Sequence, residues 1–236
     1  MITTFKSDVF NVTNSKFNAL ALEIFHFQAK NNQVYAKYLE FTHFKPDKIV
    51  EIGDIPFLPI ELFKTLKVTS SAILENTLFF SSSSTTGQGI SHHFVPDIEH
   101  YKMALRKSFE YQFGDIERFT FRFLLPSYLE REGSSLVFMA EELVNISKKG
   151  GFYLHNMDKL AHDLENDIKN NYEVILLSVS FALMDFAEKF PMDLSKVIVM
   201  ETGGMKGRRA EIIRNELHSY LKKQLNSDKR LPLFWL

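Results

Sequence analysis

The chain has 236 residues, 45% hydrophobic and 14% aromatic, with 28 basic and 29 acidic side chains and a formal charge of -1. That is enough to bury a substantial core as one large or two small domains, and the even charge balance excludes a general electrostatic grip on nucleic acid or anionic membrane. The absence of cysteine excludes disulfides, thiolate-metal sites and a thiol nucleophile on this chain and fits a reducing compartment.

The opening MITTFKSDVFNVTN has no basic flank followed by an apolar core, and no later stretch reaches the roughly 18 apolar residues of a membrane span, so a cytoplasmic protein without a membrane span is expected. From Lys16 to Asn31, Phe17, Leu20, Ala21, Ile24 and Phe27 recur at helical spacing, which predicts an amphipathic helix. A second helix is expected over Val34 to Phe44, and Pro59 opens a short one over Ile60 to Leu66, where its missing N–H is harmless. Residues 1–75 thus read as a helical N-terminal region.

The character changes after Asn76. TLFFSS reads as a buried strand entering a hydroxyl-rich loop, and SHHFV as a strand leaving it. Asp97 is placed to cap a helix reaching Phe113, with Ile98, Tyr101, Leu105 and Phe109 on one stripe. Four strand-helix pairs follow: RFTFRFLL with GSSLVFMAEELV, GFYLH with MDKLAHDLENDIKN, EVILLSV with SFALMDFAEKF, and KVIVMET with RRAEIIRNELHSYLKKQL. Val174 to Leu177 and Val197 to Met200 are short and continuously apolar, as strands covered on both faces are. The expected fold class is α/β, a wound and mostly parallel sheet flanked by helices over residues 76–236, behind the helical N-terminal region.

Residues 81–87 read Ser-Ser-Ser-Ser-Thr-Thr-Gly, six hydroxyls closed by a glycine. The run is compatible with an exposed linker, a modified tether, or a loop wrapping an anion: small residues let the main chain approach phosphate oxygens, and N–H and hydroxyl groups donate to them. Leaving a strand of the wound sheet at its carboxyl end, such a loop would sit where ligands bind. It is neither G-x-x-x-x-G-K-[ST] nor G-x-G-x-x-G, and no G-x-S-x-G elbow supports a serine hydrolase. A second glycine turn, Gly203-Gly204, follows the last predicted strand, with Lys206, Arg208 and Arg209 nearby to supply positive charge, and otherwise reads as a plain strand-to-helix turn. His92 and His93 are neighbours on a strand and point to opposite faces, so they do not chelate one metal easily. His100, His155, His162 and His218 lack a second histidine at ligand spacing and read as surface or core residues, and Glu130 and Glu132 sit on an irregular turn with no fixed acid/base geometry. No metal site and no catalytic residue is assigned from the residues themselves.

The hydroxyl loop resembles the phosphate-binding loop of the adenylate-forming (acyl-CoA synthetase) superfamily, whose pattern is S-S-G-T-T-G-x-P-K. Ser82, Ser83, Thr85, Thr86 and Gly87 match it; Ser84 replaces the middle glycine, and Gly89 and Ile90 stand where proline and lysine are usual. The missing lysine and the continuation TTGQGISHHFV are more similar to LuxE-type acyl-protein synthetases. LLPSYLEREGSSLVFMAEELV, SVSFALMDFAE and VIVMETGGMKGRRAEIIRNELH resemble further stretches of that family, and the similarity covers residues 60–225 discontinuously. The resemblance implies the N-terminal part of an adenylate-forming fold, with ATP and Mg2+ as cofactors. The implied reaction is activation of a carboxylic acid of the fatty class to an acyl-adenylate, then acyl transfer to a thiol on a carrier protein, partner protein or CoA. It implies phosphate contacts at Ser82, Ser83, Thr85, Thr86 and Gly87, adenine contacts at Gly203, Gly204 and Met205, and an acyl site facing the turn from Pro126 to Arg131. The family's later Y-G-x-T-E stretch, ribose aspartate, hinge and C-terminal domain find no match, so the fold is expected to be incomplete at its C-terminal end. The alternatives are a catalytically inactive or incomplete nucleotide- or acyl-binding protein of the same fold, or an acyltransferase using a pre-activated donor.

Overall fold

The computed structural model describes residues 5, 8–82, 90–126, 133–203, 205 and 212–227. The chain divides into two units, Met1–Lys107 and Ser108–Leu236.

In the first unit, α1 (Asn14–Asn31) and α2 (Gln33–Phe41) are separated by a single residue. Asn32 has extended backbone; its N–H donates to Gln28 O at 2.9 Å and ends α1, while its side chain accepts from Tyr35 N at 3.2 Å and caps α2. Asparagine suits both tasks because its short amide replaces a backbone partner at a helix start. Phe25 and Tyr35 meet edge to face at 6.1 Å, and Tyr35 Oη donates to Pro56 O at 2.6 Å, tying the irregular segment after α2 to the helices. The short helix expected at Ile60 is α3 (Leu62–Thr65).

The strands flanking the hydroxyl loop are β1 (Leu78–Ser81) and β2 (His92–Val95), paired antiparallel from Leu78↔Val95 to Ser81↔His92. This corrects the expectation that the loop leaves a strand of the wound sheet: β1 and β2 form a two-stranded sheet of their own. The reason is chain length. Residues 82–91 are too few for a parallel crossover, which needs about a dozen or more, but suffice for a hairpin. After β2, the Asp97 side chain accepts from His100 N at 3.1 Å, opening α4 (Ile98–Phe113) as its sequence predicts.

In the second unit the four expected strand-helix pairs all form. They are β3 (Phe119–Leu124) with α5 (Ser135–Ser147), β4 (Gly150–Phe152) with α6 (Met157–Lys169), β5 (Glu173–Val179) with α7 (Ser180–Lys189), and β6 (Ile198–Thr202) with α8 (Arg214–Leu225). The sheet is parallel, in the order β4-β3-β5-β6. The chain steps from β3 to β4 on one side, then passes to β5 on the other, so the winding reverses between β3 and β5. Outside the carboxyl ends of two such strands lies the crevice where wound sheets hold ligands.

Cross-strand partners share a face. Phe121, Ile175 and Ile198 therefore point one way, against Phe109 of α4, whose ring is 5.7 Å from that of Phe121. Arg122, Leu176 and Val199 point the other way, where Asp163 and Asp167 of α6 receive Arg122. Val174 to Leu177 are all buried, as their unbroken apolar run requires of a strand covered on both faces. No helix among the described residues is long and apolar enough to cross a membrane.

Candidate functional site

Of the phosphate-loop residues expected from the sequence, Ser82 is described, whereas Ser83, Thr85, Thr86 and Gly87 lie outside the described residues. Ser82 closes the base of the loop: its N–H donates to Ser91 O at 3.1 Å, and its Oγ accepts from Ser91 N at 3.1 Å. This reciprocal pair continues the hairpin register by one residue and fixes where the two ends of the loop emerge.

The histidines behind the loop have structural surroundings. His93 stacks on Phe63 with ring centres 4.5 Å apart, and His92 stands edge-on to Phe79 at 5.1 Å. Burial lowers the pKa of His93 below its ordinary value of 6.5. The sign is then fixed. As pH falls through 6.5 the unfolded chain binds a proton that folded His93 resists, so stability is lost toward acid until the lower folded value is passed. His93→Phe preserves the stack and should flatten the stability-pH profile just below pH 6.5. Urea denaturation of both proteins at neutral and mildly acid pH measures this, and equal slopes would show that His93 does not contribute.

At the carboxyl edge of the parallel sheet, three chain segments converge. After β3 the chain continues as buried Leu125 and Pro126. Ser178 of β5 donates from Oγ to Leu124 O at 3.1 Å, closing the ends of β3 and β5 on each other at the point where the winding reverses. Beyond it Ser180, the first residue of α7, donates from Oγ to Oε1 of Glu201 near the end of β6. Glu201 is 4% exposed and Ser180 1%. On the other side of the carboxylate, His218 of α8 places Nε2 3.6 Å from Glu201 Oε2. Among the described residues neither Glu201 Oε2 nor His218 Nε2 has a hydrogen-bond partner, although both are buried.

Ser180 thus joins α7 to β6 two residues before Gly203, and His218 brings α8 against the same carboxylate. Gly203 has φ 82°, a conformation that favours glycine, and Met205 is buried. Gly204, Lys206, Arg208 and Arg209 lie outside the described residues, as do residues 127–132, which include Glu130, Glu132 and all but Pro126 of the Pro126 to Arg131 turn expected to face an acyl site. Sequence reasoning missed the three linked side chains and set His218 aside. A signal was present: Glu201 is the only charged residue inside the apolar run VIVMET, and Ser178 and Ser180 interrupt LLSVSF. A carboxylate in a covered strand must find partners.

A second polar cluster lies within the sheet. Arg122 on β3 donates to Asp167 through Nε at 2.8 Å and Nη2 at 2.9 Å, and through Nη1 to Tyr153 Oη at 2.8 Å. Tyr153 Oη in turn donates to Asp163 Oδ2 at 2.5 Å. Burial and the Asp163 hydrogen bond push the Tyr153 phenol well above its ordinary pKa, against the opposing Arg122 charge. Burial disfavours the Arg122 cation, yet Asp167, Tyr153 and Asp163 together raise its pKa. Each group has its partners, and the network joins β3 and α6 through Tyr153, which directly follows β4, so its work is structural. His162 pairs with Asn166 at 2.9 Å on the exposed side of α6. Among the described residues no group of three or more His, Asp or Glu side chains is placed to hold a metal ion.

No protein-family model and no curated protein matches this chain.

Proposed function

We propose that this chain belongs with the adenylate-forming enzymes of the acyl-protein synthetase type, and that it takes part in activating a carboxylic acid with ATP and passing the acyl group to a thiol. The observation that carries this reading is the turn after β6, where Gly203 adopts φ 82° immediately beyond a parallel strand. Glycine there lets backbone come close to a flat base, and strand carboxyl ends are where wound sheets bind nucleotides. The Ser180-Glu201 hydrogen bond supports the same reading by fixing the end of β6, with His218 packed against the carboxylate. The Ser82-Ser91 pair supports it at the other motif, holding the base of a hydroxyl-rich loop as a phosphate cradle requires.

In this reading Ser82, Ser83, Thr85, Thr86 and Gly87 offer N–H and hydroxyl donors to the β and γ phosphates, and Gly203, Gly204 and Met205 border adenine. The chain contributes positioning and charge neutralisation while the carboxylate oxygen attacks the α phosphorus, the bond from it to the bridging oxygen of the β phosphate breaks, and pyrophosphate leaves. Mg2+ would supply further neutralisation of phosphate charge, and no described residue is named as its ligand. The acid is of the fatty class by resemblance. The acceptor thiol is not on this cysteine-free chain, and a carrier protein, a partner protein or CoA would supply it. The lack of cysteine also suits a reducing cytoplasm.

Gly203→Val should weaken ATP binding about tenfold or more, because a β-branched residue resists positive φ. Thermal protection by ATP, read in variants with cooperative unfolding, measures this, and unchanged affinity in a folded variant contradicts the assignment. Ser84 and Ile90, which depart from the phosphate-loop pattern, favour as second reading a binding protein of the same fold without turnover. ATP binding with no carboxylate-dependent chemistry would be its signature. Acyl transfer only from a pre-activated donor would mark an acyltransferase.

A further inference from the structure

The first unit holds a cavity of about 900 Å³ within its own residues, bounded by α1, α2, segments 55–58 and 68–71, β2 and the start of α4. Ile24, Phe27, Tyr35, Phe63, Phe94 and Tyr101 are among its walls. Its volume falls in the range of small-molecule sites, roughly 300–1,000 Å³.

Among the described residues, no side chain fills this space. Among the described residues, the buried apolar side chains of the first unit are Phe25, Tyr35, Leu39, Ile49 and Phe80, and all the others lie from Ile116 onward. Phe25 and Tyr35 pack in a small core with Leu39 and Ile49, whereas other large apolar side chains of the unit are not spent on it. Ile24, Phe27, Phe63 and Phe94 stay half-buried around the cavity. Interiors normally pack to crystal-like density, and an apolar space of this size forfeits dispersion contacts that an apolar occupant would restore.

The polar chemistry of the wall is sparse. Thr69 and Ser71 are hydrogen-bonded to each other, with Thr69 Oγ1 accepting from Ser71 N at 3.1 Å, and Asp97 accepts the backbone N–H of His100. His100 itself lines the cavity and keeps Nδ1 buried, without a partner among the described residues. A heterocyclic ligand is read by several convergent hydrogen bonds, whereas this wall offers a broad apolar surface and one unpartnered buried nitrogen. We infer that the cavity binds the hydrocarbon chain of a single-chain amphiphile, whose polar head pairs with His100. The inference is independent of the ATP reading and stands or falls without nucleotide.

The test is equilibrium binding of a dansyl-labelled fatty acid to the whole chain without ATP, followed by displacement with alkanoic acids and alkanols of increasing length. Saturable binding is expected, with displacement tightening about fourfold per added methylene until the cavity is full. Acids displacing better than alcohols assign the head as a carboxylate, and the reverse assigns a hydroxyl; either order supports the site. Ala21→Trp and Ala104→Trp, which fill the wall from α1 and α4, should weaken probe binding about tenfold or more, with far-UV circular dichroism reporting the fold. His100→Phe should keep chain binding and reduce the advantage of a polar-headed displacer over the alkane. The proposal is overturned if the folded wild-type chain shows no saturable binding or if displacement is indifferent to chain length, and neither result depends on a variant. Folded Trp variants that bind as well as wild type overturn it too. Probe binding that disappears as protein concentration rises would assign the cavity to a second copy of the chain and likewise overturn it.

Discussion

Gly150→Ala lowers stability by about 3 kcal/mol or more, whereas Gly151→Ala, one residue on, changes it by no more than about 1 kcal/mol. Gly150 begins β4 at φ 117° and pairs with Phe121 of β3. A β-carbon there would stand 2.7 Å from both the N and the C of Phe121 and closer still to its carbonyl oxygen. Those atoms belong to a strand backbone buried in the sheet and cannot turn aside, and the positive φ adds strain for any residue with a side chain. At Gly151 an added β-carbon meets nothing within 4 Å. Urea unfolding followed by far-UV circular dichroism gives both values from the midpoints. Equal midpoints for the two variants would mean that β4 does not approach β3 as closely as described.

Asp167→Ala costs about 3 kcal/mol, because it removes both charge-assisted hydrogen bonds of the Arg122 guanidinium and leaves it only the more distant Asp163, 3.9 Å away, as counter-charge. The two side chains are only 14% and 5% exposed, and they share a two-pronged contact. Such a pair stabilises little compared with apolar residues of the same shape, since desolvating both charges offsets their attraction, but removing one partner leaves the other uncompensated. The double replacement Arg122→Met with Asp167→Leu should therefore recover most of the loss. If the double variant is as unstable as the single one, the network is holding something other than its own charges. Arg118 and Glu173 provide the contrast: their contact at 2.6 Å lies on the surface, each side chain about half exposed, and breaking it should leave stability nearly unchanged.

The elements carried by local signals were legible in the sequence. EVILLSV spans the same residues as β5, Asp97 caps α4, and the strand-helix alternation gives the wound sheet, because apolar periodicity and capping act over a few residues. What could not be read depends on long-range placement. Arg122 looks like an ordinary charge in RFTFRFLL until α6, some 45 residues later, brings Asp167 to it. Gly150 in KKGGF reads as one of two equivalent glycines until Phe121 is set beside it. Helix α8 begins at Arg214, after the expected start at Arg208, and Ile213 before it is extended. At the candidate site, Gly203 was legible from the strand-to-glycine pattern. The linkage of Ser180, Glu201 and His218 was not, since it joins three elements that only the sheet order brings together. The strand order also places the reversal of winding between β3 and β5, a point no single-strand pattern can show.

The central claim is that the hydroxyl loop and the Gly203 turn serve ATP-dependent activation of an acid. Carboxylate-dependent exchange of labelled pyrophosphate into ATP measures that step alone, without a thiol acceptor. The whole chain, with Mg2+ and a panel of short, long and aromatic acids, is predicted to show saturable exchange with the long-chain class, weakened in Gly203→Val. A folded chain that binds ATP and every class of acid yet exchanges no pyrophosphate would contradict the claim and leave a binding protein of the same fold.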